Sequence, residues 1–171
     1  AQAIALYTHA QNEYNIHTPM LYNNLTAAYI EINQLEQALE TLALLIQKRP
    51  NYANAYRQLG TIRNQQHQYD NVLKAYVQAA ELEPTFLVDL HHFADERLIQ
   101  KQSLHALEAY QHILKIDPSY SNIHLCLLNS GRILHTLGKT QEAITFLQHA
   151  SEIQPNFAAA ETLLKQIQST E

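Results

Sequence analysis

Along this chain, apolar residues recur at three- and four-residue spacing in paired blocks divided by short polar stretches. Tyr22, Leu25 and Tyr29 are followed by Ala38 and Leu42, and Tyr56, Leu59 and Gly60 by Val72, Tyr76 and Ala79. Leu90, Phe93 and Ala94 precede Ala106 and Tyr110, and Leu127 and Gly131 precede Ala143, Leu147 and Ala150. Such spacing puts each block on one stripe of an α-helix, so each pair of blocks predicts a helical hairpin. Pro50, Pro84, Pro118 and Pro155 close the pairs at intervals of 34, 34 and 37 residues. A pattern that returns at a near-constant interval is one supersecondary unit used repeatedly. The predicted units are 19–52, 53–86, 87–123 and 124–157.

The columns have physical roles. Gly60, Ala94 and Gly131 in the first helices, and Ala38, Ala106 and Ala143 in the second, let helix axes approach closely while larger neighbours fill the space. Each proline ends a second helix, because it lacks an amide donor and disfavours helical backbone in the residue before it. Thr18-Pro19 reads as an N-cap followed by a first helical residue. Between helices, Gly138 is suited to positive φ, and Asp70, Ser103 and Thr140 are expected to cap the helices that follow. The three extra residues after Pro118 are expected within Ser119 to Ile123. At the start, Ala3, Tyr7 and Ala10 reproduce second-helix columns, so residues 1–15 read as the second helix of a truncated repeat. After Pro155, Phe157, Ala160, Leu163, Leu164 and Ile167 predict a last amphipathic helix at 158–170, either a cap on the final apolar face or the opening of another repeat.

Composition narrows the classes. With 171 residues, 46% of them apolar, the chain can bury a core, and three Gly with five Pro leave too few turns for a β-sandwich or barrel. The surface relies on neutral amides, 18 Gln and 12 Asn against 27 charged residues, and a formal charge of −5 disfavours nucleic acid and anionic membranes as partners. No run reaches the ~20 apolar residues that span a bilayer. Cys126, the lone cysteine, excludes an intrachain disulfide and a multi-thiolate metal site. Its neighbours Leu125, Leu127 and Leu128 point to a buried, inert thiol. A lone Cys fits cytosol or periplasm, with cytoplasm favoured. The chain starts at Ala1 with helix-like sequence, which is expected of a fragment or mature product.

The columns resemble the tetratricopeptide repeat, in which a large residue, Leu-Gly, Tyr, then Ala, Phe and Pro are spread over 34 residues. Tyr56-Arg57-Gln58-Leu59-Gly60 with Val72, Tyr76, Ala79 and Pro84 fits best. The third unit departs with Phe93-Ala94 and the fourth with Ser130-Gly131, while the usual Tyr column holds Arg63, Arg97 and Leu134. The resemblance implies one all-α domain, a right-handed α-solenoid of about ten helices whose first helices line a concave groove. The wall would carry Met20, Asn23, Asn24, Ala27, Asn54, Arg57, Gln58 and Thr61, then His91, His92, Asp95, Leu125, Leu128, Asn129, Arg132 and His135.

On that wall Asn24, Gln58, His92 and Asn129 form a column that resembles the asparagine ladders that hold extended peptides by their backbone. Facing water alone is the competing explanation of its polarity. Arg57 and Asn23 resemble part of a carboxylate clamp, but Ala27 and Leu125 stand where further donors belong, so no clamp is expected. His91 and Asp95, one helical turn apart, can face a cation or water together, yet no third ligand shares their helix and only His124 or His135 could join from the next unit. His9, His17, His67, His105, His112 and His149 fall at turns or outer faces. The Tyr and Phe residues fill core columns, apart from Tyr14, Tyr52 and Tyr120, which are better placed for exposed contacts.

With no Gly-rich phosphate loop and no nucleophile elbow, the chain reads as a non-catalytic protein-interaction scaffold. It would bind a peptide segment of a partner in the groove, with apolar contacts at Met20, Leu125 and Leu128. No cofactor, no metal, no nucleic acid and no membrane insertion are expected, and self-association through terminal helices is open. The alternatives are a recruiting or dimerising arm of a larger enzyme and a His-based metalloenzyme.

Overall fold

The computed structural model describes residues 2–13 and 18–169. Among them are ten α-helices, one 3-10 turn at Pro84–Phe86 and no strand. The helices are α1 (Gln2–Glu13), α2 (Pro19–Glu31), α3 (Leu35–Lys48), α4 (Ala53–Gln65) and α5 (Tyr69–Leu82). They continue with α6 (Leu87–Ile99), α7 (Ser103–Ile116), α8 (Ile123–Thr136), α9 (Thr140–Ile153) and α10 (Ala158–Gln168). None of the described helices is long and apolar enough to cross a membrane. Tyr14 and His17 lie outside the described residues, as do the side chains of Ala3 and Ala10.

Local chemistry sets the helix ends. Thr18 is extended (φ −80°, ψ 149°), its hydroxyl accepts the Leu21 N–H at 3.2 Å, and Pro19 takes the first helical position. At the other end of each hairpin the second helix stops two residues before a proline. The intervening Arg49, Glu83, Asp117 and Gln154 have φ between −121° and −147°, as a residue preceding proline must avoid the helical region.

The turn inside each hairpin is made differently from the sequence expectation. Asp70, Ser103 and Thr140 do not cap: they already lie inside α5, α7 and α9, and Gln68, Gln102 and Lys139 occupy the cap positions without a side-chain hydrogen bond. The backbone closes the turn instead. Gln34, Gln68, Gln102 and Lys139 donate their N–H groups to the carbonyls of Tyr29, Arg63, Arg97 and Leu134 at 2.8–3.0 Å. The residue before each donor, Asn33, His67, Lys101 or Gly138, takes φ of 57° to 76° and bonds back to the third residue before it. This is the Schellman arrangement, which satisfies helix C-terminal carbonyls at the cost of one left-handed residue. Arg63 and Arg97 reinforce it, since each also donates from its guanidinium to the loop glutamines, Gln66 and Gln68 in one case and Gln102 in the other, at 3.0–3.2 Å.

Contacts group the chain into two compact units, residues 1–86 and 87–171. In the first, α1 packs on α2, and the α2–α3 and α4–α5 hairpins meet through α3 and α4. Its core holds Tyr22, Ala38, Leu42, Leu45, Ala55 and Ile62. In the second, the α6–α7 hairpin meets α8 through α7, α8 pairs with α9, and α10 packs on α9 and α8. Phe93, Tyr110, Ile113, Leu134 and Leu147 are buried there with Ala94, Ala106 and Ala143 between them. Gly60 and Gly131 mark the close approaches, against Tyr76 and Leu147. Fully burying a Leu or Phe is worth about 1.5–3 kcal/mol each, so these stripes account for why the hairpins pack.

Candidate functional site

In the first unit the polar residues expected on the wall form a network between α2 and α4. Asn54 donates its amide to the Asn23 side chain and accepts from Arg57 Nε at 2.8 Å. Gln58 donates to the Asn23 carbonyl at 3.1 Å, and its Oε1 is buried without a hydrogen bond among the described residues. The Arg57 guanidinium lies 5.8 Å over the Phe86 ring. Thr61 bonds back to the Arg57 carbonyl. Asn24 and Ala27 are half-buried beside this network, and Met20 is 70% exposed at the start of α2.

In the second unit a cluster joins three helices and one loop. The Tyr110 hydroxyl, from α7, donates to Asp95 of α6 and accepts from the Asn129 amide of α8 at 3.0 Å. His91 of α6 places Nδ1 3.2 Å from the Tyr120 hydroxyl and Nε2 3.7 Å from Asp95. Its ring meets Tyr110 and Tyr120 edge-on at 6.0 and 5.6 Å. Burial holds the His91 pKa below its ordinary value, against the pull of Asp95. Burial, with the bond to Asp95, pushes the Tyr110 phenol up; burial also raises the Tyr120 phenol and takes the Cys126 thiol to about 12. Cys126 is a fully buried, inert thiol, as its leucine neighbours indicated.

The placement separates residues that the sequence had put together. Gln58, His91 and Leu128 are buried (5%, 8% and 7% exposed), whereas His92 is exposed and pairs with Glu96 at 3.3 Å. The column of Asn24, Gln58, His92 and Asn129 is thus not a row of four free side chains: Gln58 and Asn129 spend amide donors inside the protein. Tyr120 and Tyr52 are half-buried, not exposed, and Tyr120 packs on His91 because the loop after Pro118 folds back over α6. His124 stacks edge-on to Phe157 at 5.3 Å and His135 is exposed, so neither converges on His91 and Asp95. Among the described residues no group of three or more His, Cys, Asp or Glu is arranged to hold a metal ion. His9, His67 and His149 are exposed and His105 and His112 half-buried.

One open cleft of the second unit includes expected wall residues. About 470 Å³ in volume, it runs between α8 and α10 and is lined by Leu128 and Arg132 from the first and Ala158, Ala159, Thr162, Leu163 and Gln166 from the second. The α10 residues recur at helical spacing, on the helix that the sequence reading took as a cap or as the opening of another repeat. Leu125 sits on α8 as well, 36% exposed.

Residues 126–157 match the family described as Tetratricopeptide repeat. No curated protein sequence matches the chain. Among solved structures, the crystal structure of MamA is 19% identical, covers 87% of this chain and 85% of its own, and superposes with a TM-score of 0.57. A second MamA structure, from AMB-1, is 16% identical over 95% of this chain and 87% of its own, with a TM-score of 0.58. A third, MamA from MSR-1, gives 17% identity, 87% and 83% coverage and a TM-score of 0.53. At these identities the likeness is one of fold.

Proposed function

We infer that this chain, a tetratricopeptide-repeat protein, is a non-catalytic scaffold that binds a peptide segment of a partner protein on the first-helix walls of its hairpins. The hairpins α2–α3, α4–α5, α6–α7 and α8–α9 serve as the repeats of this reading, at 19–52, 53–86, 87–123 and 124–157. The observation that carries it is the α8–α10 cleft, where Leu128 and Arg132 of one helix face a strip of small and aliphatic residues on the other. Its volume of about 470 Å³ suits a few side chains, within the ~300–1,000 Å³ usual for ligand sites. The other ionisable groups of the second unit support a binding role over a catalytic one. His91 is engaged with Tyr120, Tyr110 bridges Asp95 and Asn129, and the Cys126 thiol stays protonated at neutral pH.

The test is a randomised peptide array probed with the purified chain and with Ala159→Asp, which places a charge in the cleft on an exposed position. Peptides captured by the parent chain and lost by the variant are the expected result. Capture that is the same for both, or no capture at all, would remove the cleft from the reading.

A further inference from the structure

The cleft between α8 and α10 has an aliphatic floor, from buried Leu128, half-buried Leu163 and the exposed methyl groups of Ala158 and Ala159. Arg132 is the only ionisable one among the described residues that line it. Among the described residues its guanidinium makes no hydrogen bond and no ion pair, and Thr136 bonds back to its backbone carbonyl. Two other cations of this unit are engaged: Arg97 reaches Gln102 and Glu96, and Lys139 pairs with Glu142 at 3.1 Å. No acidic side chain among the described residues lines the cleft to answer Arg132.

A guanidinium is planar, always charged and weakly hydrated, and its paired N–H groups match the two oxygens of a carboxylate. Beside an aliphatic floor, part of its solvent is already displaced, and an arriving carboxylate is screened less than it would be on an open surface. The two alanines leave room where larger residues would fill the cleft. We propose that this cleft takes a peptide segment carrying an aliphatic side chain next to a carboxylate, the first seated against Leu128, Ala159 and Leu163 and the second on Arg132. The proposal rests on the scaffold reading and narrows its ligand class.

The experiment uses the full chain on an array of hexapeptides built from Ala, Leu and Glu, printed beside the same sequences with Gln or Lys in place of Glu. Glu members should bind about tenfold tighter than their Gln counterparts, with the gap narrowing in about 0.5 M NaCl. Arg132→Ala should close the gap to under about twofold while weak aliphatic binding persists, and Arg132→Glu should turn the preference toward Lys counterparts. Arg132 is exposed, and an unchanged helical circular dichroism signal confirms that both variants fold. Equal binding of Glu and Gln members, or an Arg132→Ala chain that keeps its preference, overturns the acidic ligand and leaves the scaffold reading standing. Silence on this array with capture on the randomised one does the same. Silence on both removes the scaffold reading as well.

Discussion

Gly60 lies directly against the ring of Tyr76: a Cβ at the glycine would stand 2.5 Å from Cδ1 and 3.0 Å from Cζ of the tyrosine. Tyr76 is buried within the same α4–α5 hairpin, so the ring has little space to withdraw. Helix propensity alone favours Ala over Gly by about 1 kcal/mol, whereas overpacking a core costs about 1–3 kcal/mol. The contact is close enough for the second effect to win. Gly60→Ala is expected to lower stability by about 1–2 kcal/mol net, read as a lower urea midpoint at unchanged m-value, and Tyr76→Leu in that background should recover part of the loss.

The left-handed residues of the hairpin turns make an opposite prediction. Lys101 has φ 61° and His67 φ 57°, where Gly138 stands at 76°. A side chain in this region costs about 1–2 kcal/mol, partly offset by the lower entropy of a non-glycine chain when unfolded. Lys101→Gly should therefore raise stability by about 0.5–1 kcal/mol. Gly138→Ala should lower it by about 1 kcal/mol, and since nothing lies within 4 Å of the new methyl, that loss reports backbone strain alone. Thermal unfolding of both variants decides the matter.

Removing the Tyr110 hydroxyl leaves Asp95 without its donor and Asn129 without its acceptor. The Asp95 side chain is 47% exposed and can rehydrate, which limits the damage. Tyr110→Phe is expected to cost about 1–2 kcal/mol, and adding Asn129→Ala should cost less than it does alone because the two act through one hydroxyl. Additive losses in the double-mutant cycle would show that the bonds are independent.

His91 predicts a pH dependence whose sign follows from burial. Its folded-state pKa lies below the ordinary 6.5, so the unfolded chain takes up a proton more readily than the folded one. The stability this residue contributes is complete above 6.5 and is lost as pH falls below it toward the folded value. The groups that face the ring are Asp95 and His92 on its own helix, Tyr110 from α7 and Tyr120 from the following loop. Between pH 7.5 and 5 the melting temperature of the parent chain should fall more than that of His91→Gln; parallel curves would rule out this linkage.

Cys126 is fully buried and its thiol is raised to about 12. Thiolate is the reacting form, so iodoacetamide at pH 8 should leave the folded chain unmodified for hours and label it at once in concentrated guanidinium chloride. Rapid labelling of the folded chain would place the thiol at an opening in the second unit.

Much of the fold was legible because its signals are local. The columns that include Leu25, Ala38, Gly60, Tyr76, Phe93, Ala106, Gly131 and Leu147 lie on helical stripes a few residues apart, and the two helices of each hairpin are neighbours in sequence that pack on each other, so spacing and proline positions carry the hairpins directly. The turns were less legible. Asn33, His67 and Lys101 adopt the backbone expected only of Gly138, because a Schellman turn is held by main-chain bonds that any residue can make once two helices are packed.

The sequence by itself determined the all-helical class, the helical hairpins and the buried cysteine. Only the tertiary structure decided what the polar residues of the hairpins do. Whether Gln58 faces a ligand or the Asn23 carbonyl, whether His91 meets a cation or Tyr120, and whether α10 covers a face or opens a cleft beside Arg132 each depend on side chains brought from separate helices. Periodicity states which face a residue occupies, but a hydrogen bond is won by whichever partner packing leaves within about 3 Å, and that distance is not written in any one helix.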